Sequence, residues 1–318
     1  MPVFRARSVG ELCGAQSFQT ISLVSAELDR LLAAQGGVVT AAQALTLLTR
    51  RGLQAHVDCG ALQRVWRGIY SRDNPTVTQR LSGLDLLTGT NVAACMGTAA
   101  AAYGFDTEQT KDLHVLNPAG RQLRSTSGLV VHRRAGAALT QVAGRPVTTP
   151  AWTAIELARG LRRARALATL DAALRSGTCS REDLLRMLHL QSGRRGVVGV
   201  RELLSIASPL AESPMESEVR LVMLDGGLPS PVLQHEIVDL SGRVWRLDFA
   251  WPEYRVAAEY DGVDWHSGPD AFRRDRTRAA ALQDLCWVVV PIIAEDVRRQ
   301  PAQLVRRIES RLARAKAA

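Results

Sequence analysis

Two acidic residues lie inside apolar, strand-like runs toward the C-terminal end of this 318-residue chain. Asp248 sits in Trp245-Arg246-Leu247-Asp248-Phe249-Ala250-Trp251, and Glu259 in Val256-Ala257-Ala258-Glu259-Tyr260. Taking an unpaired carboxylate out of water is costly, so each acid needs a partner. A hard divalent cation, Mg²⁺ or Mn²⁺, is one candidate. It takes one or two carboxylates and completes its shell with water and phosphate oxygens. Arginines such as Arg246 or Arg274 are the other candidate. On the first reading Asp248 and Glu259 are metal ligands, and the cation would polarise a phosphodiester and activate water.

The pattern around these acids predicts alternating helices and strands. A helix is expected over Glu216–Leu224, closed by Gly226-Gly227. Strands are expected over Leu233–Asp239, Val244–Ala250, Val256–Tyr260 and Trp287–Ile292, with Ser241-Gly242 as a hairpin turn. Helices follow over Phe272–Gln283 and Pro301–Ala315. This is an α/β sandwich.

The N-terminal part reads differently. Leu23, Val24, Leu28, Leu31 and Leu32 recur at helical spacing over Ile21–Ala34. Thr40 is a suitable N-cap for a second helix reaching Thr49, Arg51-Gly52 is expected to be a tight turn, and a third helix covers Gln54–Ala61. Leu62 to Tyr70 alternates around Gly68 and reads as a two-stranded hairpin. Three short helices and a hairpin form the layout of a winged helix-turn-helix, whose third helix enters the major groove while the wing touches the backbone. Arg50, Arg51, Arg64, Arg67 and Arg72 cluster at its edges and suit phosphates better than base edges. The stretch GVVTAAQALTLLTRRGLQAHVDCGALQRVWRGIYSR resembles the N-terminal winged-helix segment of the antitoxins of type IV toxin–antitoxin systems. That resemblance implies duplex DNA and a toxin as partners.

Between these parts, helices are expected over Gln79–Leu87, Ala93–Tyr103, Trp152–Arg159, Ala164–Arg175 and Arg181–Leu190. Leu113–Leu116 and Leu129–Arg133 read as strands, and Pro146–Pro150 as a break. The segment carries no catalytic constellation, and His132 reads as structural. It resembles the region that follows the winged helix in antitoxin-like proteins. The expected organisation is a loose N-terminus over 1–20, a winged helix over 21–75, a mixed α+β middle domain over 76–207 and an endonuclease-like domain over 208–318.

The last domain resembles the PD-(D/E)xK nuclease superfamily, and within it the branch related to very-short-patch-repair endonucleases. The likeness rests on SPMESEVR, RLDFAWPEYRVAAEYDGVDWH and FRRDRTRAAALQDLCWVVVPI. It implies a restriction-endonuclease-like fold. It also makes Glu216 the helix acid, Asp248 and Glu259 the metal-binding pair, and His266 the histidine that follows. Arg273 and Arg276 fall on the helix after the site and are candidate DNA contacts. Asp261 departs from the pattern. It stands where the superfamily carries lysine, and an anion cannot orient water or stabilise charge as lysine does. Asp261 could add a metal ligand, with His266 as general acid or base.

The net charge is +9, and every basic residue except Lys111 and Lys316 is arginine. Codon bias accounts for arginine over lysine as well as phosphate binding does, but the excess of positive charge favours a polyanionic partner. The five cysteines, Cys13, Cys59, Cys95, Cys179 and Cys286, are scattered and lack metal-ligand spacing, which predicts buried reduced thiols. No apolar run is long enough to span a bilayer, and no h-region follows the N-terminal arginines, so a cytoplasmic protein is expected. Phosphate-loop, dinucleotide and nucleophile-elbow motifs are absent from the sequence. The expected function is metal-dependent cleavage of DNA by catalytic residues Glu216, Asp248, Glu259, Asp261 and His266. The alternative is a non-catalytic antitoxin-like transcriptional regulator whose nuclease domain is degenerate.

Overall fold

A computed structural model describes residues 26–262 and 269–317. It is a mixed α/β protein whose contacts divide it into two compact units: Met1–Cys95 with Thr110–Val147, and Met96–Gln109 with Thr148–Ala318. The expected middle segment contributes to both. The N-terminal residues expected to be loose and the first residues of the expected Ile21–Ala34 helix lie outside the described residues.

In the first unit, α1 covers 26–34 and buries Leu28 and Leu32. It is followed by β1 (Val38–Thr40) and α2 (Ala41–Leu47). Thr40 caps α2 through the Gln43 N–H, and the Gln43 side chain returns a bond to the Thr40 N–H, closing a capping box. Thr49 then starts α3 (Arg50–Asp58), its hydroxyl accepting from the Gly52 N–H. The expected Arg51-Gly52 turn is therefore the first turn of α3. The Thr49 cap satisfies a helix-end donor at that point, and this outweighs the helix-weakening glycine. β2 (Gln63–Trp66) and β3 (Ile69–Ser71) form a hairpin across Gly68, whose φ of +84° suits glycine. β1 pairs antiparallel with β3, giving a sheet of order β1-β3-β2.

Next come α4 (Val77–Thr88), α5 (Met96–Ala102, in the second unit), β4 (Leu113–Leu116), β5 (Leu129–His132), β6 (Leu139–Val142) and β7 (Arg145–Thr148). β4 and β5 are parallel partners, and His114 Nδ1 lies 2.9 Å from His132 Nε2 across them. Trp66 and Ile69 of the hairpin share a core with Leu81, Leu84, Val92, Leu113, Val115 and Leu129. Gly83 allows this packing, because a Cβ there would fall 2.7 Å from Ile69 Cγ2. The segment expected to be a break at Pro146 is part of β7. It belongs to a two-stranded sheet, where an edge position tolerates proline, and the Pro146 carbonyl accepts from the Ala94 N–H at 3.0 Å.

The second unit continues with α6 (Pro150–Ala158), α7 (Arg163–Arg175), α8 (Arg181–Leu190), α9 (Val197–Ile206) and α10 (Pro214–Asp225). Then follow β8 (Val232–Val238), β9 (Val244–Trp251), β10 (Val256–Tyr260), α11 (Pro269–Asp284), β11 (Val288–Ile292), α12 (Ala294–Arg298) and α13 (Pro301–Ala317). The sheet order is β11-β10-β9-β8, with β10 and β11 parallel and the other pairs antiparallel. Val219 and Met223 of α10 and Leu304, Ile308 and Leu312 of α13 pack with Phe249, Trp251, Val256, Ala258, Val290 and Ile292. A second core joins Leu247, Ala250 and Ala257 to Leu282 of α11. The sheet is thus covered by helices on both faces.

The same α10 turns its other side to α7. Asp171 is fully buried, and its carboxylate is saturated. Oδ1 accepts from the Ser208 N–H at 2.7 Å. Oδ2 accepts from the Ser217 hydroxyl at 2.7 Å and from Arg220 Nη2 at 2.6 Å. Arg220 also donates to the Ile206 carbonyl.

Cys95 and Cys179 are buried, and burial pushes the Cys179 thiol up to about 11. Cys59 and Cys286 are exposed, contrary to the expectation of buried thiols. Each sits beyond a helix, at the Cys59 C-cap and after α11. Cys13 lies outside the described residues. Among those residues no helix is long and apolar enough to cross a membrane.

Replacing Asp171 with Ala leaves Arg220 buried without its counter-ion. The loss expected in urea unfolding of the full chain is about 3–5 kcal/mol. A loss below 1 kcal/mol would show that this pair does not hold α7 to α10.

Candidate functional site

Four of the five expected catalytic acids and bases lie among the described residues; His266 lies outside them. Glu216 is in the first turn of α10. Ser213 caps that helix, its hydroxyl accepting from the Glu216 N–H at 3.1 Å. The Glu216 carboxylate does not close a capping box. Its Oε2 accepts from the Glu212 N–H at 2.8 Å and from Gln234 Nε2 at 3.0 Å.

Asp248 lies on β9 at a local irregularity. Leu247 and Ala250 face the α11 side of the sheet, whereas Phe249 and Trp251 face α10 and α13, so the strict alternation breaks at Asp248. The β8–β9 ladder pairs Leu233 with Phe249 and His235 with Leu247, skipping Gln234 and Asp248. Gln234 has φ +49°, a conformation that costs a non-glycine residue of order 1–3 kcal/mol and persists where surrounding contacts enforce it. Its Oε1 is buried with no hydrogen-bond partner among the described residues.

Asp248 Oδ2 accepts from the Tyr260 N–H at 3.0 Å, which ties it to the end of β10. Its carboxyl is raised to about 6, chiefly by burial and with Glu216 and Glu259 adding to it, against the opposing pull of the Tyr260 N–H and Arg278. Asp261 is exposed, and its carboxyl is raised by desolvation and by Glu259. Its N–H donates to the Ile292 carbonyl at 2.8 Å.

Glu259 has a partner that neither sequence candidate provided. Arg278, on α11, forks onto it, Nη1 and Nη2 donating to separate Glu259 oxygens. Nη2 also donates to the Arg246 carbonyl at 3.0 Å. Hydrogen bonding to Glu259 raises the Arg278 guanidinium, and Asp248 and Asp261 add to this. Arg246 itself pairs with Glu212 at 2.7 Å, and the Arg274 side chain is outside the described ones. The helical period could have pointed to Arg278: it lies one turn before Leu282, the α11 residue buried against the sheet, so the two share a face.

The site therefore sets Asp248, Glu259 and Asp261 near one guanidinium, with Glu216 close to Asp248. Two carboxylates suit a hard cation. Glu259, however, already has both oxygens engaged by a cation of the chain itself. Among the described residues no group of three or more His, Cys, Asp or Glu is arranged to hold a metal.

The expected DNA contacts fall in two places. Arg50 and Arg51 are exposed on the first turn of α3, and Arg64 and Arg67 are exposed on the β2–β3 hairpin. Arg72 is committed to an ion pair with Asp29 of α1. Arg273 and Arg276 are exposed on α11, in the second unit.

Residues 92–206 match the family model described as the AbiEi antitoxin C-terminal domain. Two Mycobacterium tuberculosis proteins are 54% identical to the chain over 271 residues, 85% of this chain and 100% of each relative. They are named Uncharacterized protein MT2308 in strain CDC 1551 / Oshkosh and Uncharacterized protein Rv2248 in strain ATCC 25618 / H37Rv. The chain belongs to their family. The expected likeness to antitoxins thus has support over 92–206, the part that runs from the end of the first helix–hairpin region through α9.

The raised Asp248 carboxyl has a stability consequence. The unfolded side chain ionises near pH 4 and the folded one near 6, so the folded state holds the proton longer. Its contribution is fully present below pH 4 and is lost as pH rises through about 6. Asp248→Asn removes the penalty. The variant is expected to exceed the parent by about 2–3 kcal/mol at pH 7.5 and to match it near pH 4, read from urea midpoints. An equal difference at both pH values would contradict the assignment.

Proposed function

We propose that the protein is a DNA-binding regulator of the antitoxin type, whose C-terminal α/β domain has a nuclease-like framework without nuclease chemistry. The match over 92–206 to an antitoxin domain carries this reading. On it, the three helices and three-stranded sheet of the first unit act as a winged helix-turn-helix. α3 enters the major groove, with Arg50 and Arg51 at its start, and Arg64 and Arg67 of the hairpin meet the backbone. The partners are duplex DNA and a toxin, and the setting is the cytoplasm. The segments 21–75, 76–207 and 208–318 are its winged-helix, antitoxin-like and endonuclease-like parts.

The arrangement around Glu259 supports the non-catalytic form. Arg278 neutralises Glu259 by a two-pronged pair, the strongest geometry available to arginine and carboxylate. Asp261 stands where a charge-stabilising lysine would be needed. A second reading keeps the catalytic role, with Mg²⁺ or Mn²⁺ at Asp248 and Glu259 and assistance from Glu216, Asp261 and His266. It is favoured by the convergence of Glu216, Asp248 and Glu259 and by the raised carboxyl of Asp248.

Fluorescence anisotropy with a labelled duplex distinguishes them. Changing Arg50, Arg51, Arg64 and Arg67 together to Gln is expected to weaken binding on the order of 100-fold at moderate salt. The double variant Asp248→Asn, Glu259→Gln is expected to bind within about twofold of the parent, with no strand scission by either protein in Mn²⁺. Mn²⁺-dependent nicking that disappears in the double variant would establish the second reading.

A further inference from the structure

Beneath the β2–β3 hairpin lies a cavity of about 230 Å³, formed within the first unit. Its lining includes Gln63 and Arg64 of β2, Trp66, Asn74, Arg80 of α4, and Ser127. Trp66 forms the buried wall, fixed by its Nε1–H donating to the Ser127 carbonyl at 3.0 Å. Gln63, Arg64 and Asn74 are exposed and form the rim. No carboxylate lines this cavity.

Arg80 enters the cavity lining from α4. Its Nε is buried and has no hydrogen-bond partner among the described residues. A guanidinium nitrogen withdrawn from water without an acceptor is costly, and such a group in a native fold calls for an explanation. Arg64 lines the same space and has no ion pair with any described residue. The larger cavity of the second unit, about 620 Å³, differs in this respect. Its arginines, among them Arg163, Arg165 and Arg298, are set against Glu218 and Asp225.

We propose that the cavity under the hairpin is a phosphate-binding pocket, in which Arg64 and Arg80 clamp one phosphodiester of bound DNA and Asn74 and Gln63 donate amide hydrogens to it. The proposal rests on the DNA-binding reading of the first unit and adds to it a residue outside α3 and the hairpin. Two guanidinium forks without a competing carboxylate match the charge and oxygen geometry of a phosphoryl group. The contact is independent of base sequence, so it anchors the wing while other groups select the site. A free phosphate ion would satisfy the same donors.

The test is the salt dependence of duplex binding by the full chain, for the parent, Arg80→Gln, Arg64→Gln and the double variant. Arg64→Gln is the safer substitution for folding, because its side chain is exposed. Each single variant is expected to weaken binding about three- to tenfold, uniformly across duplex sequences, and the double variant to reduce the slope of log K against log salt by about one, because both arginines hold one phosphate. Duplex binding with an unchanged slope in the double variant overturns the pocket and leaves DNA binding intact. If the parent binds no duplex, the DNA reading fails, and inorganic phosphate becomes the probe. A rise in Tm with millimolar phosphate, lost in both single variants, assigns the pocket to free phosphate; no rise overturns it.

Discussion

The buried pair between Asp171 and Arg220 sets where the rest of the second unit can go. Burying two charges costs more than their attraction returns unless every lone pair is used. Here the Asp171 carboxylate takes a backbone N–H, a hydroxyl and a guanidinium, from the chain after α9 and from α10. α10 is held on both sides. Ser217 and Arg220 lock it to α7, while Val219 and Met223 form the core beneath the sheet. Glu218 reinforces the same junction by pairing with Arg165 at 3.1 Å. Glu216 precedes these residues in the first turn, so the placement of that acid follows from a packing node that has no part in the site's chemistry.

The same economy of charge governs the acid cluster. Asp248 keeps its proton to an unusually high pH because it is buried near Glu216 and Glu259. Glu259, in a mostly apolar strand, has both its oxygens met by Arg278 from α11. The strain at Gln234 and the skipped ladder pair at Asp248 mark the point where sheet geometry yields to polar demands.

Much of this was legible from residue order. Apolar, strand-like runs located the four strands of the C-terminal sheet, and the embedded acids announced that a counter-charge was required. Its identity was not legible. Arg246 and Arg274 are closer in sequence to the two acids than Arg278, and only the turn of α11 over the sheet decides which one arrives. Helix α9 also escaped notice, because Val197-Val198-Gly199-Val200 is a poor helix former. Burial of Val197, Val200, Leu203 and Leu204 overrides that preference. Gly196 at φ +86° makes the entry possible, since a Cβ there would lie 2.5 Å from the Arg159 carbonyl oxygen. The β6–β7 hairpin was missed because Ala143-Gly144 is a weak turn signal beside Asn-Gly or Asp-Gly. Both its residues nevertheless adopt positive φ.

Arg278 is the counter-charge that the described residues supply to Glu259. Calorimetric titration of Mn²⁺ into the full chain, beside Arg278→Gln, tests it directly. The account predicts no saturable binding by the parent. It predicts one-site binding by the variant, lost again when Asp248→Asn is added. Stoichiometric Mn²⁺ binding by the parent, abolished by Asp248→Asn alone, would contradict it and restore the domain to metal-dependent phosphodiester chemistry.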